Sequence, residues 1–294
     1  MNSNMARGKV LILGSKGMLG SQLMRLYGPR AVGWFKDDEN GFDFTNLANF
    51  KTAISELNPT AVINCVAYND VDGAEDEKNK NVAFQINAAS VGELAKICQD
   101  FEIPLVHFST NYVFDGEKKE YREDDIPNPF SAYGLSKYEG EKLLQKNCEK
   151  FYLIRTAVIF GISGEESGSK KSFAEFVLDR ARNREPIYAY TDEVGSVTYA
   201  VDLAQNIKLL LDKRYPYGIY HIVNSGSATR YEFAEETLKI RNLLDEAELE
   251  RVTFEQKPRR AKIPKNAVLI NTKLPPIRPW KEALKEFLTS NFSR

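Results

Sequence analysis

The sequence predicts a doubly wound, parallel α/β sheet followed by a smaller, mostly helical carboxyl-terminal lobe. Short, nearly continuous apolar runs alternate with longer segments that carry apolar residues at helical spacing. Strands that are apolar on both faces need helices on both sides of the sheet, which indicates the doubly wound arrangement. Beyond Phe160 this alternation gives way to polar loop and helical patterns, which indicates the second lobe. Ligands of such sheets bind at the carboxyl ends of the strands.

The elements of the sheet are predicted in alternating order. The predicted strands are 9–13, 31–35, 61–64, 104–108 and 152–156, and the predicted helices are 18–27, 47–57, 84–100 and 131–147. A Gly/Ser-rich polar loop at 161–171 is followed by helical patterns at 173–184 and 230–244, while 198–213 and 218–223 read as a helix and a strand. We therefore predict a sheet domain at 1–160, completed by about 196–224, and a second lobe at 161–195 plus 225–294.

Composition excludes several classes of protein. A chain of 294 residues that is 43% hydrophobic can bury a large core. A net charge of −1 argues against a nucleic acid or an anionic membrane as the main partner. Three cysteines without a close-spaced pair and two histidines predict neither a disulfide framework nor a metal site. No secretory signal and no run near the ~20 residues of a membrane span is present, so a cytoplasmic location is expected.

A glycine pattern follows the first predicted strand and opens the first predicted helix. This is the context in which the pattern indicates a dinucleotide site, because glycines let the backbone approach a pyrophosphate and the helix start offers free amides. A tight turn without a ligand is the alternative. The 2-2 glycine spacing resembles the extended short-chain dehydrogenases/reductases and implies a Rossmann fold. The candidate cofactor-binding residues of this turn are Gly14, Lys16, Gly17, Met18, Leu19 and Gly20.

Tyr133 and Lys137 form the candidate catalytic pair. Residues four apart share a helix face, so the ammonium is expected to favour the ionised phenol and to lower its pKa. The spacing alone is weak, since about one such match is expected by chance. A second pair, Tyr138 and Lys142, starts five residues later and points about 140° away. Small neighbours surround Tyr133 and charged ones surround Tyr138, which favours Tyr133.

Several motifs along nearly the whole chain resemble the dTDP-4-dehydrorhamnose reductase family. They are Val62-Ile-Asn-Cys-Val-Ala-Tyr-Asn-Asp-Val-Asp72-Gly-Ala-Glu75, Phe108-Ser-Thr-Asn-Tyr-Val-Phe-Asp-Gly116, Tyr133-Gly-Leu-Ser-Lys137 with Gly140-Glu141, Gly218-Ile-Tyr-His-Ile222, and Pro258-Arg-Arg-Ala261 with Pro264 and Asn266. The resemblance implies a reductase of a nucleotide-activated, most simply dTDP-linked, 4-keto-6-deoxy sugar that serves polysaccharide synthesis. NADP(H) is the favoured cofactor and NAD(H) the alternative, and a homodimer is expected.

The resemblance also implies roles for individual residues. Tyr133 would protonate the C4 oxygen as hydride arrives, Lys137 would hold the ribose hydroxyls, and Thr110 would hydrogen-bond the same carbonyl oxygen. The other implied cofactor-binding residues are Lys36, Asp43 beside the adenine, Phe44, Cys65, Val66, Ala67 and Asn69. The implied substrate-binding residues besides Thr110 are Asn111, Tyr112, Val158, and Arg259 and Arg260 as a diphosphate clamp. A small core residue remains the alternative for Cys65, and a solvated basic face remains the alternative for the two arginines.

The chain departs from the family pattern at four places. Asn111 stands where these reductases usually carry Asp, Val158 lies where a Trp is typical, and the loop at 161–172 looks longer than usual. The end of the second strand has Lys36 rather than an acidic residue, which suggests a 2′-phosphate and NADPH, although Asp37 and Asp38 follow. The first three departures concern the substrate and leave the hydride chemistry unchanged.

Three other functions are compatible with the same fold. A nucleotide-sugar dehydratase is disfavoured because Asn111 and Tyr112 stand where Asp-Glu would be needed as acid and base. An epimerase of the same group is expected to purify with its cofactor bound. A non-catalytic cofactor-binding subunit, resembling the regulatory subunit of methionine adenosyltransferase, is opposed by the presence of Thr110, Tyr133 and Lys137.

Overall fold

The computed structural model describes residues 8–36, 42–164 and 170–292. The first strands are β1 (Val10–Leu13), β2 (Ala31–Trp34), β3 (Ala61–Asn64), β4 (Leu105–Thr110), β5 (Phe151–Thr156) and β6 (Ile159–Phe160). The helices among them are α1 (Met18–Tyr27), α2 (Phe50–Leu57), α3 (Glu77–Phe84), α4 (Ser90–Asp100) and α5 (Ala132–Asn147), with a π-helical turn at Gln85–Ala89 and 3-10 turns at Gly28–Arg30, Gly73–Glu75 and Asn111–Val113.

The rest of the chain adds helices and mostly short strands. The strands are β7 (Ile187–Tyr190), β8 (Val194–Gly195), β9 (Thr198–Tyr199), β10 (Gly218–His221), β11 (Ala228–Thr229), β12 (Leu249–Val252) and β13 (Asn266–Ala267). The helices are α6 (Phe173–Arg182), α7 (Ala200–Lys213), α8 (Arg230–Ile240) and α9 (Trp280–Asn291).

A six-stranded parallel sheet in the order β10-β5-β4-β3-β1-β2 forms the centre of the molecule. β1 pairs with β2 on one side and with β3 on the other, so Leu13 is level with both Trp34 and Asn64. The chain order reverses at this point, and the connections leave a crevice above the carboxyl ends of β1 and β3. The doubly wound fold predicted from the sequence is confirmed.

Helices cover both faces of the sheet, as the apolar strands require. On one face α1 and α7 pack against the sheet through side chains such as Leu23 and Ile207. On the other face α2, α4 and α5 contribute Ile54, Leu94 and Leu144. With both faces covered, a ligand can approach the sheet at the ends of its strands.

A separate aromatic cluster lies outside the two clusters that cover the central sheet. Phe160, Phe233, Trp280 and Phe287 meet in a cluster built mainly from α6, α8 and α9. The sequence analysis assigned no helix to Trp280–Asn291, although its apolar residues recur at helical spacing, and it assigned no strand to β7 or β12. Over the described ranges, none of the helices has the length and apolar character needed to cross a membrane.

A buried ion pair attaches α5 to the sheet. Arg155 on β5 is 2% exposed and donates from Nε and Nη2 to the two carboxylate oxygens of Glu141, at 3.0 and 2.7 Å. Its Nη1 donates to the carbonyl oxygen of Glu123 at 3.3 Å. Both charges of the pair are removed from water, so each depends on the other.

We expect Arg155→Met to lower the free energy of unfolding by about 3–5 kcal/mol, because it leaves the Glu141 carboxylate buried without its partner. Adding Glu141→Leu should recover part of that loss. Lys150→Met, which removes the exposed pair with Glu102, should cost less than about 1 kcal/mol. Urea unfolding followed by circular dichroism measures all three free energies of unfolding. Equal losses of stability in Arg155→Met and Lys150→Met would show that the Arg155–Glu141 pair does not hold α5 to the sheet.

Candidate active site

The turn after β1 has the backbone geometry of a phosphate-binding site. Gly14 has a φ of +73°, and a Cβ on Gly20 would lie 2.1 Å from the Gly14 carbonyl oxygen, so both positions require glycine. Gly17 caps α1, and among the described residues no side chain caps the helix and no acidic residue occupies its first turn. The first amides of α1 are therefore available to an anion.

The segment after β3 lies against this turn. A Cβ on Gly14 would be 3.2 Å from both the carbonyl carbon of Cys65 and the amide nitrogen of Val66. The Val66 amide donates to the Asn64 side chain at 3.0 Å, which fixes the bend at the end of β3. Ala67 and Asn69 follow in exposed positions, and Cys65 is half-buried. The crevice thus contains the glycine turn and the strand end that were predicted to hold a dinucleotide.

Two lysines lie near the end of β2. Lys16 places its Nζ 3.5 Å from the centroid of the Phe35 ring, and Lys36 is exposed. Asp43 accepts hydrogen bonds from the amide and hydroxyl of Thr45, at 2.8 and 2.7 Å, which lowers the pKa of its carboxyl. The ring of Phe44 packs in the core of the sheet, so only its main chain can face a cofactor. Asp37, Asp38 and Gly41 lie outside the described residues, as do 165–169 of the loop that was predicted to be long.

Tyr133, Lys137 and Thr110 converge where β4 ends. Lys137 is 2% exposed and donates from Nζ to the Phe108 carbonyl oxygen at 2.6 Å. The Tyr133 ring meets the Tyr112 ring edge-on, with centroids 6.3 Å apart. The Thr110 hydroxyl is close enough to the Tyr133 phenol for a hydrogen bond that lowers the phenol's pKa.

The second Tyr-Lys pair lies elsewhere on α5. Tyr138 packs at the margin of a core cluster that contains Phe114 and Tyr121. Lys142 is exposed, pairs with Glu139 and lies 5.0 Å from the Tyr138 ring centroid. The geometry therefore separates the two pairs and places only Tyr133 beside Thr110.

The expected effect of Lys137 on the phenol is not what the structure shows. Burial raises the pKa of Tyr133 to about 12, and the Thr110 hydrogen bond only partly offsets this. The expectation of a lowered pKa is wrong, because desolvation dominates and the ammonium is held by the Phe108 carbonyl. Burial also lowers the pKa of Lys137 to about 8, against the opposing effect of Glu141.

Glycines let α5 approach its neighbours closely. A Cβ on Gly134 would lie 2.4 Å from the Tyr112 carbonyl oxygen, and one on Gly140 would lie 2.0 Å from the Asn87 carbonyl oxygen. The Asn87 side chain donates to the Ser136 hydroxyl at 3.0 Å. The small residues around Tyr133 are thus contact points of the helix, as expected from the sequence.

A pocket between the sheet and the second lobe contains three predicted substrate residues. Asn111, Tyr112 and Val158 line it together with Glu193 and Arg230. The Asn111 amide donates to the Ala267 carbonyl oxygen at 3.2 Å, and its side-chain oxygen accepts from the Thr110 hydroxyl at 3.3 Å. Val158 has a φ of +31°, an unfavourable backbone region for a β-branched residue, and such strain is most often found at functional sites.

Both arginines of the predicted diphosphate clamp form ion pairs with aspartates. Arg259 is half-buried and donates from Nη2 to Asp72 at 2.7 Å, while Arg260 is exposed and pairs with Asp76. The Asp72 carboxylate also accepts from the Ala261 amide at 2.9 Å. Arg260 therefore fits the alternative of a solvated basic face, and the half-buried Arg259 does not. The diphosphate clamp remains a prediction for both arginines.

Glu193 and Arg230 were missed by the sequence analysis. They lie 81 and 118 residues beyond Tyr112, whose hydroxyl they both approach, and no local pattern connects them. Glu141 was noted only as part of a motif. Its signal was the repeated spacing of four from Tyr133 through Lys137, which places all three on one helix face.

Comparison with known proteins agrees with this geometry. Residues 8–292 match a protein family described as the RmlD substrate binding domain. The chain belongs to this family. Its relatives include a dTDP-4-dehydrorhamnose reductase from Aggregatibacter actinomycetemcomitans, 32% identical over 94% of this chain and 97% of the relative. The spore coat polysaccharide biosynthesis protein SpsK from Bacillus subtilis is 31% identical over 97% and 98%.

Solved structures of dTDP-4-dehydrorhamnose reductases are also similar to this chain. A crystal structure of dTDP-4-dehydrorhamnose reductase from Bacillus anthracis, in complex with NADP, superposes with a TM-score of 0.88 at 30% identity. The match covers 97% of this chain and 99% of that one. The resemblance drawn from the motifs, and with it the expectation of an oxidoreductase of this family, is confirmed.

We expect Gly20→Ala to weaken nicotinamide dinucleotide binding at least about tenfold, because the added methyl group displaces the Gly14 carbonyl and with it the turn. Gly195→Ala is the control, since its Cβ would meet nothing closer than 3.6 Å. Fluorescence titration with NADPH measures the affinity, and a thermal melt checks the fold. Equal affinities in the two variants would show that the turn does not hold the cofactor.

Proposed function

We propose that this protein is an NADPH-dependent reductase of a dTDP-linked 4-keto-6-deoxy sugar, with dTDP-4-dehydrorhamnose as the first substrate to test. One observation carries the proposal. Tyr133, Lys137 and Thr110 converge at the end of β4, and the glycine turn packs at the end of the neighbouring strand β3. Relatives that carry the name dTDP-4-dehydrorhamnose reductase support the choice of substrate.

The residues divide the work of a carbonyl reduction. A nicotinamide cofactor bound in the crevice supplies the hydride. Tyr133, protonated at neutral pH because burial raises its pKa, donates its phenolic proton to the C4 oxygen. Thr110 hydrogen-bonds the same oxygen and fixes its orientation. Lys137, held at the Phe108 carbonyl, presents its ammonium to the ribose hydroxyls.

The cofactor is NADPH in preference to NADH. The exposed Lys36 and the adjacent Lys16 place positive charge at the end of β2, where a 2′-phosphate would lie. The crystal structure of the Bacillus anthracis relative contains NADP, which supports this preference. The free amides of α1 and the glycine turn fit the pyrophosphate of either dinucleotide.

Other functions fit these residues less well. A dehydratase would need a free acid and base beside Thr110, but the Asn111 amide is bound to the Ala267 carbonyl and the Tyr112 hydroxyl is bound to Glu193. A purely cofactor-binding role would not need a half-buried Tyr133 beside Thr110. The cytoplasmic location and the homodimer remain predictions of the sequence.

The proposal predicts NADPH oxidation with dTDP-4-dehydrorhamnose or a related dTDP-linked 4-keto sugar, measured as loss of absorbance at the nicotinamide band. Tyr133→Phe should lower kcat by about 10²–10⁴-fold, because it removes the proton donor. Tyr138→Phe is the matched control and should keep full activity. The reductase proposal would be abandoned if none of the 4-keto sugars were reduced, and the choice of tyrosine would be wrong if only Tyr138→Phe were inactive.

The pH profile should show the titration of Lys137. Its folded-state pKa of about 8 means that the ammonium is present below that pH and lost above it. We therefore expect kcat/KM for NADPH, which reports the free enzyme, to fall as the pH rises through about 8. In Lys137→Arg that descending limb should disappear, although the activity itself drops, whereas Lys142→Arg should retain it. A limb near pH 8 that survives in Lys137→Arg would assign it to another group.

A further inference from the structure

A network of three polar side chains, Tyr112, Glu193 and Arg230, lies in the wall of the pocket between the sheet and the rest of the chain, and Glu193 and Arg230 have none of the roles above. Glu193 is only 5% exposed. Its Oε1 accepts from the Tyr112 hydroxyl at 2.8 Å and from the Arg230 Nε at 3.0 Å. Arg230 also reaches Oε1 with Nη2 at 3.0 Å. Oε1 of Glu193 therefore receives every hydrogen bond that the carboxylate accepts, and Arg230 Nη2 also approaches the Tyr112 hydroxyl at 3.5 Å.

One oxygen of Glu193 and one nitrogen of Arg230 have no hydrogen-bond partner among the described residues. Oε2 of Glu193 is buried and has no hydrogen-bond partner within the described ranges. Nη1 of Arg230 likewise has no acceptor among the hydrogen bonds of the described residues, and the Arg230 side chain is 22% exposed. A buried carboxylate oxygen without a partner carries a large desolvation cost, which a ligand that donates to it would remove.

The charge state of the pair is settled by its surroundings. Burial would raise the pKa of Glu193, but Arg230 and the Tyr112 hydroxyl outweigh it, and the net effect is a lowered pKa. Glu193 is therefore an ionised acceptor at neutral pH and Arg230 a permanent donor. A sugar hydroxyl needs both, since it donates one hydrogen bond and accepts others.

We propose that Glu193 and Arg230 are specificity-determining residues that recognise one hydroxyl group of the substrate sugar, with Glu193 Oε2 accepting a hydrogen bond from the hydroxyl and Arg230 Nη1 donating one to its oxygen. Both side chains line the same pocket as Asn111 and Val158, next to Thr110 at the end of β4. The inference rests on the proposed reductase function and deepens it. A substrate without that hydroxyl leaves the buried Glu193 Oε2 and the half-buried Arg230 Nη1 unpaired, and unpaired polar groups of a site give stronger discrimination than a missing apolar contact.

The test compares kcat/KM for a dTDP-linked 4-keto-6-deoxy sugar with its 2-deoxy and 3-deoxy analogues. The wild-type enzyme should prefer the parent over one analogue by about 10²-fold or more. Glu193→Gln and Arg230→Gln should reduce that preference to below about tenfold, mainly by loss of activity on the parent. In Glu193→Gln the amide oxygen stays with the Tyr112 and Arg230 donors, so an NH2 group replaces the acceptor Oε2, and Arg230→Gln removes the guanidinium donor. The preference over the other analogue should not change.

Arg180→Gln is the matched control, because Arg180 is a half-buried, ion-paired arginine of the same lobe that does not line the pocket. It should keep the wild-type preference. If a charge variant fails to fold, Tyr112→Phe removes a single hydroxyl and should reduce the same preference, with NADPH affinity unchanged.

The outcomes separate the two proposals. If the wild-type enzyme reduces no 4-keto sugar, the proposed reductase function is wrong and this inference falls with it. If the wild-type enzyme reduces the parent but treats both analogues alike, or if the Glu193 and Arg230 variants keep its preference, the reductase function stands and the hydroxyl assignment is wrong.

Discussion

The attachment of α5 to two neighbouring strands is the constraint on which the rest of the site depends. Tyr133, Lys137 and Glu141 lie four residues apart on one helix face. Lys137 is bound to a carbonyl of β4, and Glu141 to Arg155 on β5. Any rotation or shift of the helix would leave a buried charge without its partner, which costs several kcal/mol. The same contacts therefore hold the helix and direct the Tyr133 phenol toward the end of β4.

Burial sets the protonation of this site as well as its geometry. It raises the pKa of Tyr133 and lowers that of Lys137, so the phenol stays protonated while the ammonium titrates close to physiological pH. Glu141 opposes the effect of burial on Lys137 and so helps to keep it cationic. Glu141 thus serves both the packing of α5 and the charge of the residue one turn before it.

The sequence was sufficient for features in which the signal is local. The central strands were predicted to within two residues at either end, because burial on both faces demands continuous apolar runs. Thr110, Tyr133 and the glycine turn stand in contiguous motifs. The network of Glu193, Arg230 and Tyr112 could not be predicted, because only the tertiary packing of segments far apart in the chain brings it together. Two-residue strands such as β8 and β11 carry no periodicity at all.

The two ends of the proposed site are built by different means. This explains how the departures from the family pattern coexist with the presence of Tyr133 and Lys137. The hydride end depends on the main chain, since a Cβ at Gly20, Gly134 or Gly140 would collide with a carbonyl oxygen. Substitution there disturbs the backbone and with it the reaction. The proposed sugar end depends on side chains, since the Asn111 amide donates to the Ala267 carbonyl and Glu193 accepts from the Tyr112 hydroxyl. Exchanging such side chains alters the hydrogen bonds offered to the sugar without moving the backbone, so the substrate can change while the reaction stays the same.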